Sequence, residues 1–141
     1  MKVPYINLKK QYLTERKKIL KIIDKTFASG NWVGGDEVNN FEKNISKANN
    51  TRYCVALNSG TDALTLSLYL LGVKRGDEVI TAPNSFIASA ATIIHLGAKP
   101  VFVDIKNDQN IDENKIEEKI NKNTKAIMPV HLTGRMCNMD K

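Results

Sequence analysis

Four short apolar runs, at 53–57, 78–82, 101–103 and 126–131, punctuate the chain after residue 50, and the segments between them change to a helical period. Residues 63–71 are apolar on most sides of a helix and end at Gly72. Residues 85–96 form a helix rich in small side chains that ends at Gly97. Asp112 caps a third helix whose inner face is Ile116 and Ile120. Unbroken apolar strands alternating with helices specify an α/β fold: a mainly parallel sheet buried on both faces by flanking helices. Pro129 lacks the N–H a ladder needs, which places the fourth run at a sheet edge or near a strand end.

Two helices are expected ahead of this pattern. Leu8, Tyr12, Ile19, Ile23 and Phe27 recur on one stripe, with lysines 10, 17, 18, 21 and 25 away from it. Val38, Phe41, Ile45 and Ala48 mark a second, shorter helix that stops at Asn49-Asn50. The chain is therefore read as a helical segment over 1–50 and an α/β region over 51–141, incomplete at its C-terminal end.

The 141 residues carry a formal charge of +6, which raises the question of nucleic acid. The whole excess lies in residues 1–25, and it is almost all lysine. Readers of base edges and phosphates lean on the arginine fork, so a solvated lysine face is the better account and no nucleic-acid partner is expected. No apolar run reaches the ~20 residues of a membrane helix. Met1-Lys2-Val3-Pro4 has no apolar stretch behind it, so the expected location is the cytoplasm. Cys54 and Cys137 then read as free thiols, and no His/Cys spacing suggests a metal.

Open α/β sheets bind ligands at the carboxyl ends of their strands, and two loops there carry chemistry. The first is Asn58-Ser59-Gly60-Thr61-Asp62. Its glycine lets backbone N–H groups approach a ligand, and the following helix offers its positive end, so the loop is suited to a phosphate. The same S-x-x-D pattern also serves as a helix cap with no ligand at all. A dinucleotide site is disfavoured, because G-x-G-x-x-G is absent and the second strand ends without a carboxylate. A P-loop is disfavoured because no Gly-Lys-Ser/Thr follows. The second loop, Pro83-Asn84-Ser85-Phe86, places an aromatic ring directly after a strand. Phe86 either projects over the same edge, where it could stack on a planar phosphorylated cofactor, or is an ordinary core residue. His131 and Asp104 also end strands; a structural hydrogen bond is expected for the first and a loop-turn role for the second.

At these loops the sequence resembles the DegT/DnrJ family of pyridoxal-phosphate-dependent sugar aminotransferases. The resemblance runs in order through Gly30-Asn31-Trp32-Val33-Gly34-Gly35-Asp36-Glu37-Val38, Asn58-Ser59-Gly60-Thr61-Asp62-Ala63-Leu64 and Gly76-Asp77-Glu78-Val79-Ile80. It continues in Phe86-Ile87-Ala88-Ser89-Ala90, Lys99-Pro100-Val101-Phe102-Val103-Asp104 and Val130-His131-Leu132-Thr133-Gly134.

The resemblance implies the large domain of the aspartate-aminotransferase-like fold type I, with pyridoxal 5′-phosphate as cofactor. Gly60 and Thr61 match positions that hold the cofactor phosphate, and Phe86 matches the aromatic that stacks on the pyridine ring. Ser59, Tyr5 and the Trp32 region match positions that approach the substrate. The implied substrate is a nucleotide-linked keto sugar with glutamate as amine donor, for amino-sugar and surface-polysaccharide synthesis, in a homodimer. The family's catalytic lysine is expected beyond position 141, as is the Asp that pairs with the pyridine nitrogen. No catalytic residue is therefore assigned, and the 141-residue chain alone is expected to be inactive. Asn84 and Thr133 depart from the residues that relatives often carry. The rival readings are a non-catalytic cofactor- or nucleotide-sugar-binding fragment and, behind it, a nucleic-acid binder using the basic N-terminal helix.

Overall fold

The computed structural model describes residues 4–141, which divide into two compact units meeting at Ala56/Leu57. In the first unit, α1 (Leu8–Ala28) and α2 (Asp36–Ala48) are the two helices the apolar stripes predict. Asn7 caps α1 by accepting from the Lys10 N–H at 2.9 Å. Lys25 and Glu37 join the two helices through a 2.8 Å ion pair, and this partner raises the Lys25 pKa. Residues 53–57 form no ladder, against expectation. A strand needs a neighbour, and here the Ala56 N–H is taken instead by the Glu42 carboxylate at 2.8 Å.

The second unit contains α3 (Gly60–Leu70), β1 (Glu78–Thr81), α4 (Ala88–His95), β2 (Lys99–Phe102) and β3 (Thr124–Met128). The strands form a parallel sheet in the order β2-β1-β3. The central strand is buried on both sides: Val79, Ile80 and Thr81 are all fully inaccessible. Consecutive side chains leave a strand on opposite faces, so β1 seeds two cores. Val79 meets Leu68, Val73, Ile93 and Ala98 beneath α3 and α4. Ile80 meets Val103, Ile111 and Cys137 on the other face. The Thr81 hydroxyl, though buried, donates to the Met128 carbonyl at 2.9 Å and costs nothing as an orphan.

The two helices on the first face end in the same way. In α3 the Val73 N–H reaches the Leu68 carbonyl and the Gly72 N–H reaches that of Tyr69. In α4 the Ala98 N–H reaches Ile93 and the Gly97 N–H reaches Ile94. These are Schellman closures, and each requires a left-handed residue at its glycine: φ is 77° at Gly72 and 76° at Gly97. Each closure also turns the residue after the glycine inward, so Val73 and Ala98 join the core beside the helical residues they close on.

The other face is not covered by the expected third helix. Asp112 does cap, accepting from the Asn114 N–H at 3.1 Å, but the chain beyond it forms two 3₁₀ turns, Glu113–Lys115 and Glu117–Lys119. The segment closes on i→i−3 bonds, Lys115 N–H to the Asp112 carbonyl and Lys119 N–H to that of Ile116, while the Asp112 side chain takes the Asn114 N–H. Lys106 pins this segment through a 2.7 Å ion pair to Glu113, whose side chain is 10% exposed. That pair, first through its hydrogen bond, holds the Glu113 carboxyl below the usual range and raises Lys106. Pro129 lies just past β3, one of the two edge strands, where its missing N–H takes no bond from the ladder. Among the described residues no helix is long and apolar enough to cross a membrane.

Two outcomes are expected. Replacing either closing glycine by alanine forces a side chain into the left-handed region, at about 1–2 kcal/mol. Gly97→Ala should cost more than Gly72→Ala, since its Cβ also meets the Arg75 Cβ at 3.2 Å while Gly72 has nothing nearer than 3.8 Å; urea unfolding of the two variants checks the order. The Glu113 pKa is lowered in the folded chain, so its contribution is complete above the unfolded carboxylate range and fades as pH falls through the lowered value. Glu113→Gln should therefore flatten the acid limb of a melting-temperature profile while changing its shape little near neutrality.

Candidate functional site at the carboxyl edge of the sheet

Topology alone gathers the two singled-out loops. α4 connects parallel neighbours, so it runs opposite to them and starts at their carboxyl ends. α3 feeds β1 through the short turn at 71–77, and its last residues lie beside the first residues of β1, in the core of Leu68, Val73 and Val79. Its N-terminus therefore also lies at the carboxyl edge.

At that N-terminus, the Ser59 hydroxyl accepts from the Asp62 N–H at 3.1 Å, and the Ser59 carbonyl accepts from the Ala63 N–H. The cap is real, so that half of the sequence reading holds. It does not exhaust the loop, however. The N–H groups of Gly60 and Thr61 have no hydrogen-bond partner among the described residues, and they carry the positive end of an 11-residue helix. The glycine is not required by backbone conformation there, and a Cβ built on it would meet no atom within 4 Å. Gly60 is exposed and Thr61 half-buried.

Phe86 is 77% exposed at the carboxyl end of β1, which removes the core reading. Around it, Ser85 and Ser89 share a 2.6 Å hydroxyl bond at the start of α4, and the Asn84 amide donates to the Gln109 carbonyl at 2.9 Å. The ring thus projects from a loop that is anchored on both sides. A cradle of free N–H donors and an exposed ring on one sheet edge together fit a flat phosphorylated molecule.

The remaining polar candidates serve the frame. His131 Nδ1 accepts the Cys137 N–H at 3.1 Å, the structural bond expected of it. Asp104 accepts the Ile105 N–H at 2.8 Å and lies 3.4 Å from Lys115; the backbone bond foremost, then the lysine, lowers its pKa. Trp32 and Tyr5 lie in the first unit. The Trp32 indole donates to the Phe27 carbonyl at 3.2 Å and meets the Phe27 ring edge-on at 5.0 Å, and Tyr5 is fully exposed.

Sequence reasoning missed Asn110. It is 1% exposed, donates to the carbonyls of Arg135 and Met136 at 3.1 and 3.2 Å, and accepts the Leu132 N–H at 3.2 Å. The turn around it was legible in its Asn and Asp content. The partners, more than twenty residues away, were not.

The sequence pattern of the DegT/DnrJ/EryC1/StrS aminotransferase family matches residues 13–141. The chain is 38% identical over 141 residues to the pleiotropic regulatory protein of Geobacillus stearothermophilus, covering 99% of this chain and 38% of that one. It is 40% identical over 139 residues to the dTDP-3-amino-3,6-dideoxy-alpha-D-galactopyranose transaminase of Aneurinibacillus thermoaerophilus, covering 98% and 38%. The crystal structure of NtdA from Bacillus subtilis with bound cofactor PMP superposes with a TM-score of 0.92 at 39% identity, over 99% of this chain and 32% of that one. The chain thus spans less than two-fifths of the length of these relatives, and over that stretch its α/β fold is theirs.

Adjacent residues at the cap should respond with opposite sign. Ser59→Ala removes the bond to the Asp62 N–H and should lower stability by about 1 kcal/mol. Gly60→Ala fills open space in a helical conformation and should raise it, by up to about 1 kcal/mol. Denaturant unfolding of both variants reads the difference directly.

Proposed function

The chain belongs to the DegT/DnrJ/EryC1/StrS aminotransferase family, and from that premise we propose that it forms part of a pyridoxal-phosphate-dependent aminotransferase acting on a nucleotide-linked keto sugar. The observation that carries this reading is the pairing, on one sheet edge, of the unpartnered Gly60 and Thr61 N–H groups with the exposed Phe86 ring. The named activity of the Aneurinibacillus relative and the PMP in the Bacillus structure support the substrate class and the cofactor.

In this reading Gly60 and Thr61 hold the cofactor phosphate with backbone N–H groups and the helix dipole, and need no charged side chain to do so. Phe86 would cover one face of the pyridine ring and exclude water from it. Bound there, pyridoxal phosphate supplies the electron sink that lets an amino group pass between a donor, glutamate, and the keto sugar. Ser59, Trp32 and Tyr5 each match positions that approach the substrate in the family, and their role here rests on that resemblance alone. The region 51–141 is the cofactor-binding part and 1–50 the helical part that precedes it. The whole enzyme is a cytoplasmic homodimer serving amino-sugar synthesis. None of the lysines among the 141 residues lies in a motif matching the family's catalytic lysine.

The 141-residue chain should therefore bind pyridoxal phosphate without turning over. Mixed with cofactor, glutamate and a keto-sugar nucleotide it should form no amino sugar, and borohydride should fix cofactor to no single lysine. Phe86→Ala should weaken pyridoxal-phosphate binding by up to about tenfold, the scale of one aromatic contact. Turnover by this chain, or cofactor trapped on one specific lysine, would sink the assignment of the chemistry elsewhere. Unchanged affinity in Phe86→Ala would sink the ring's role.

A further inference from the structure

Three loops leave the carboxyl edge of the sheet: 82–87 after β1, 103–111 after β2 and 129–137 after β3. The middle one bonds to both others. Its Gln109 carbonyl accepts the Asn84 amide at 2.9 Å, two residues from Phe86. Its Asn110 side chain spends both amide hydrogens and its oxygen on Arg135, Met136 and Leu132. Asn110 is itself held by an Asp108 carboxylate bond to its N–H at 3.1 Å and by the Lys106 N–H on its carbonyl at 2.9 Å. An antiparallel bridge between Ile105 and Ile111 closes the loop beneath it.

These bonds hold an unfavourable geometry. Among the described residues of this unit, two that are not glycine adopt left-handed backbone: Gln109, with φ 67°, and Thr133, with φ 54°. The first adjoins Asn110, and the second sits within the segment that Asn110 grips. Thr133 is β-branched, the residue class that tolerates this region least. Strain of this kind persists only where surrounding contacts over-determine it, and it concentrates at binding and catalytic edges. A buried asparagine with every hydrogen-bonding group used also rigidifies the loops it joins and specifies one arrangement of them.

We propose that Asn110 is a positioning residue of the cofactor site: together with the Asn84–Gln109 bond it locks the three strand-end loops into one frame, and that frame sets the Phe86 ring. The inference rests on the reading of Phe86 as the ring's stacking partner. It assigns Asn110 no contact with cofactor or substrate. The phosphate cradle at Gly60 and Thr61 shares none of these bonds, so the frame governs the ring end of the ligand and not its phosphate end.

That separation supplies the test. The probes are pyridoxal 5′-phosphate, which uses both ends, and inorganic phosphate, which uses the cradle alone, each titrated into the purified chain and its Asn110→Ala and Asn84→Ala variants. Each variant should bind pyridoxal 5′-phosphate more weakly, by about threefold and by no more than Phe86→Ala does, with reduced induced circular dichroism of the bound chromophore. Phosphate affinity should stay within about twofold, since no bond to the cradle is touched. Unchanged affinity and dichroism overturn the proposal, as does equal loss of both probes, which would mark Asn110 as general support for the unit. If Asn110→Ala does not fold, Asn84→Ala, altered in an exposed loop, decides by the same criteria. Phe86→Ala in parallel keeps the two levels apart. If it leaves cofactor affinity unchanged, the stacking role falls and this inference with it; if Phe86→Ala weakens binding and the frame variants do not, only the frame falls.

Discussion

The structure of the second unit depends on the burial of one four-residue strand. β1 has parallel neighbours on both edges and side chains leaving on both faces, so Val79, Ile80 and Thr81 are enclosed in every direction. Full burial of a Val or Ile side chain contributes roughly 1.5–3 kcal/mol, and here two such residues each anchor a separate core. The covering elements are arranged around this strand. α3 and α4 close on it with matching Schellman turns, and the 103–123 connection crosses the other face as irregular backbone and 3₁₀ turns pinned by Lys106 and Glu113.

A buried parallel strand also dictates where chemistry can occur. Its backbone groups are consumed by the ladder, so free donors and exposed rings are confined to the strand ends and helix starts. On the carboxyl edge, Gly60 and Thr61 keep their N–H groups free because a helix cannot pair its own first turn. Phe86 is exposed because its loop is tied at Asn84 and Ser85 and does not fold back into the core. The groups proposed to bind there are those that regular structure leaves unpaired.

Much of this architecture is legible in the residues alone. The α/β class, the parallel sheet, α1, α2, α3, α4 and the edge position marked by Pro129 all follow from apolar period and punctuating residues, which act over a few positions. The failures have one cause. Residues 53–57 have strand composition but no ladder, and residues 112–120 have a cap and an apolar spacing but no α-helix, because each outcome depends on partners elsewhere. Ser59 illustrates the middle ground: the pattern offered a cap or a cradle, and the structure shows a cap whose neighbours remain free.

By itself, then, the sequence determined the order of elements, the helix ends and the residue types available at the strand ends. Those are local matters of side-chain period, glycine conformation and capping. Only the tertiary structure decided that Phe86 lies in the open, that Asn110 ties together loops more than twenty residues apart, and that Gln109 and Thr133 are held in left-handed backbone. Those features depend on which distant groups meet when the strands align, and hydrogen bonds between remote loops leave no periodic trace in the residues that make them.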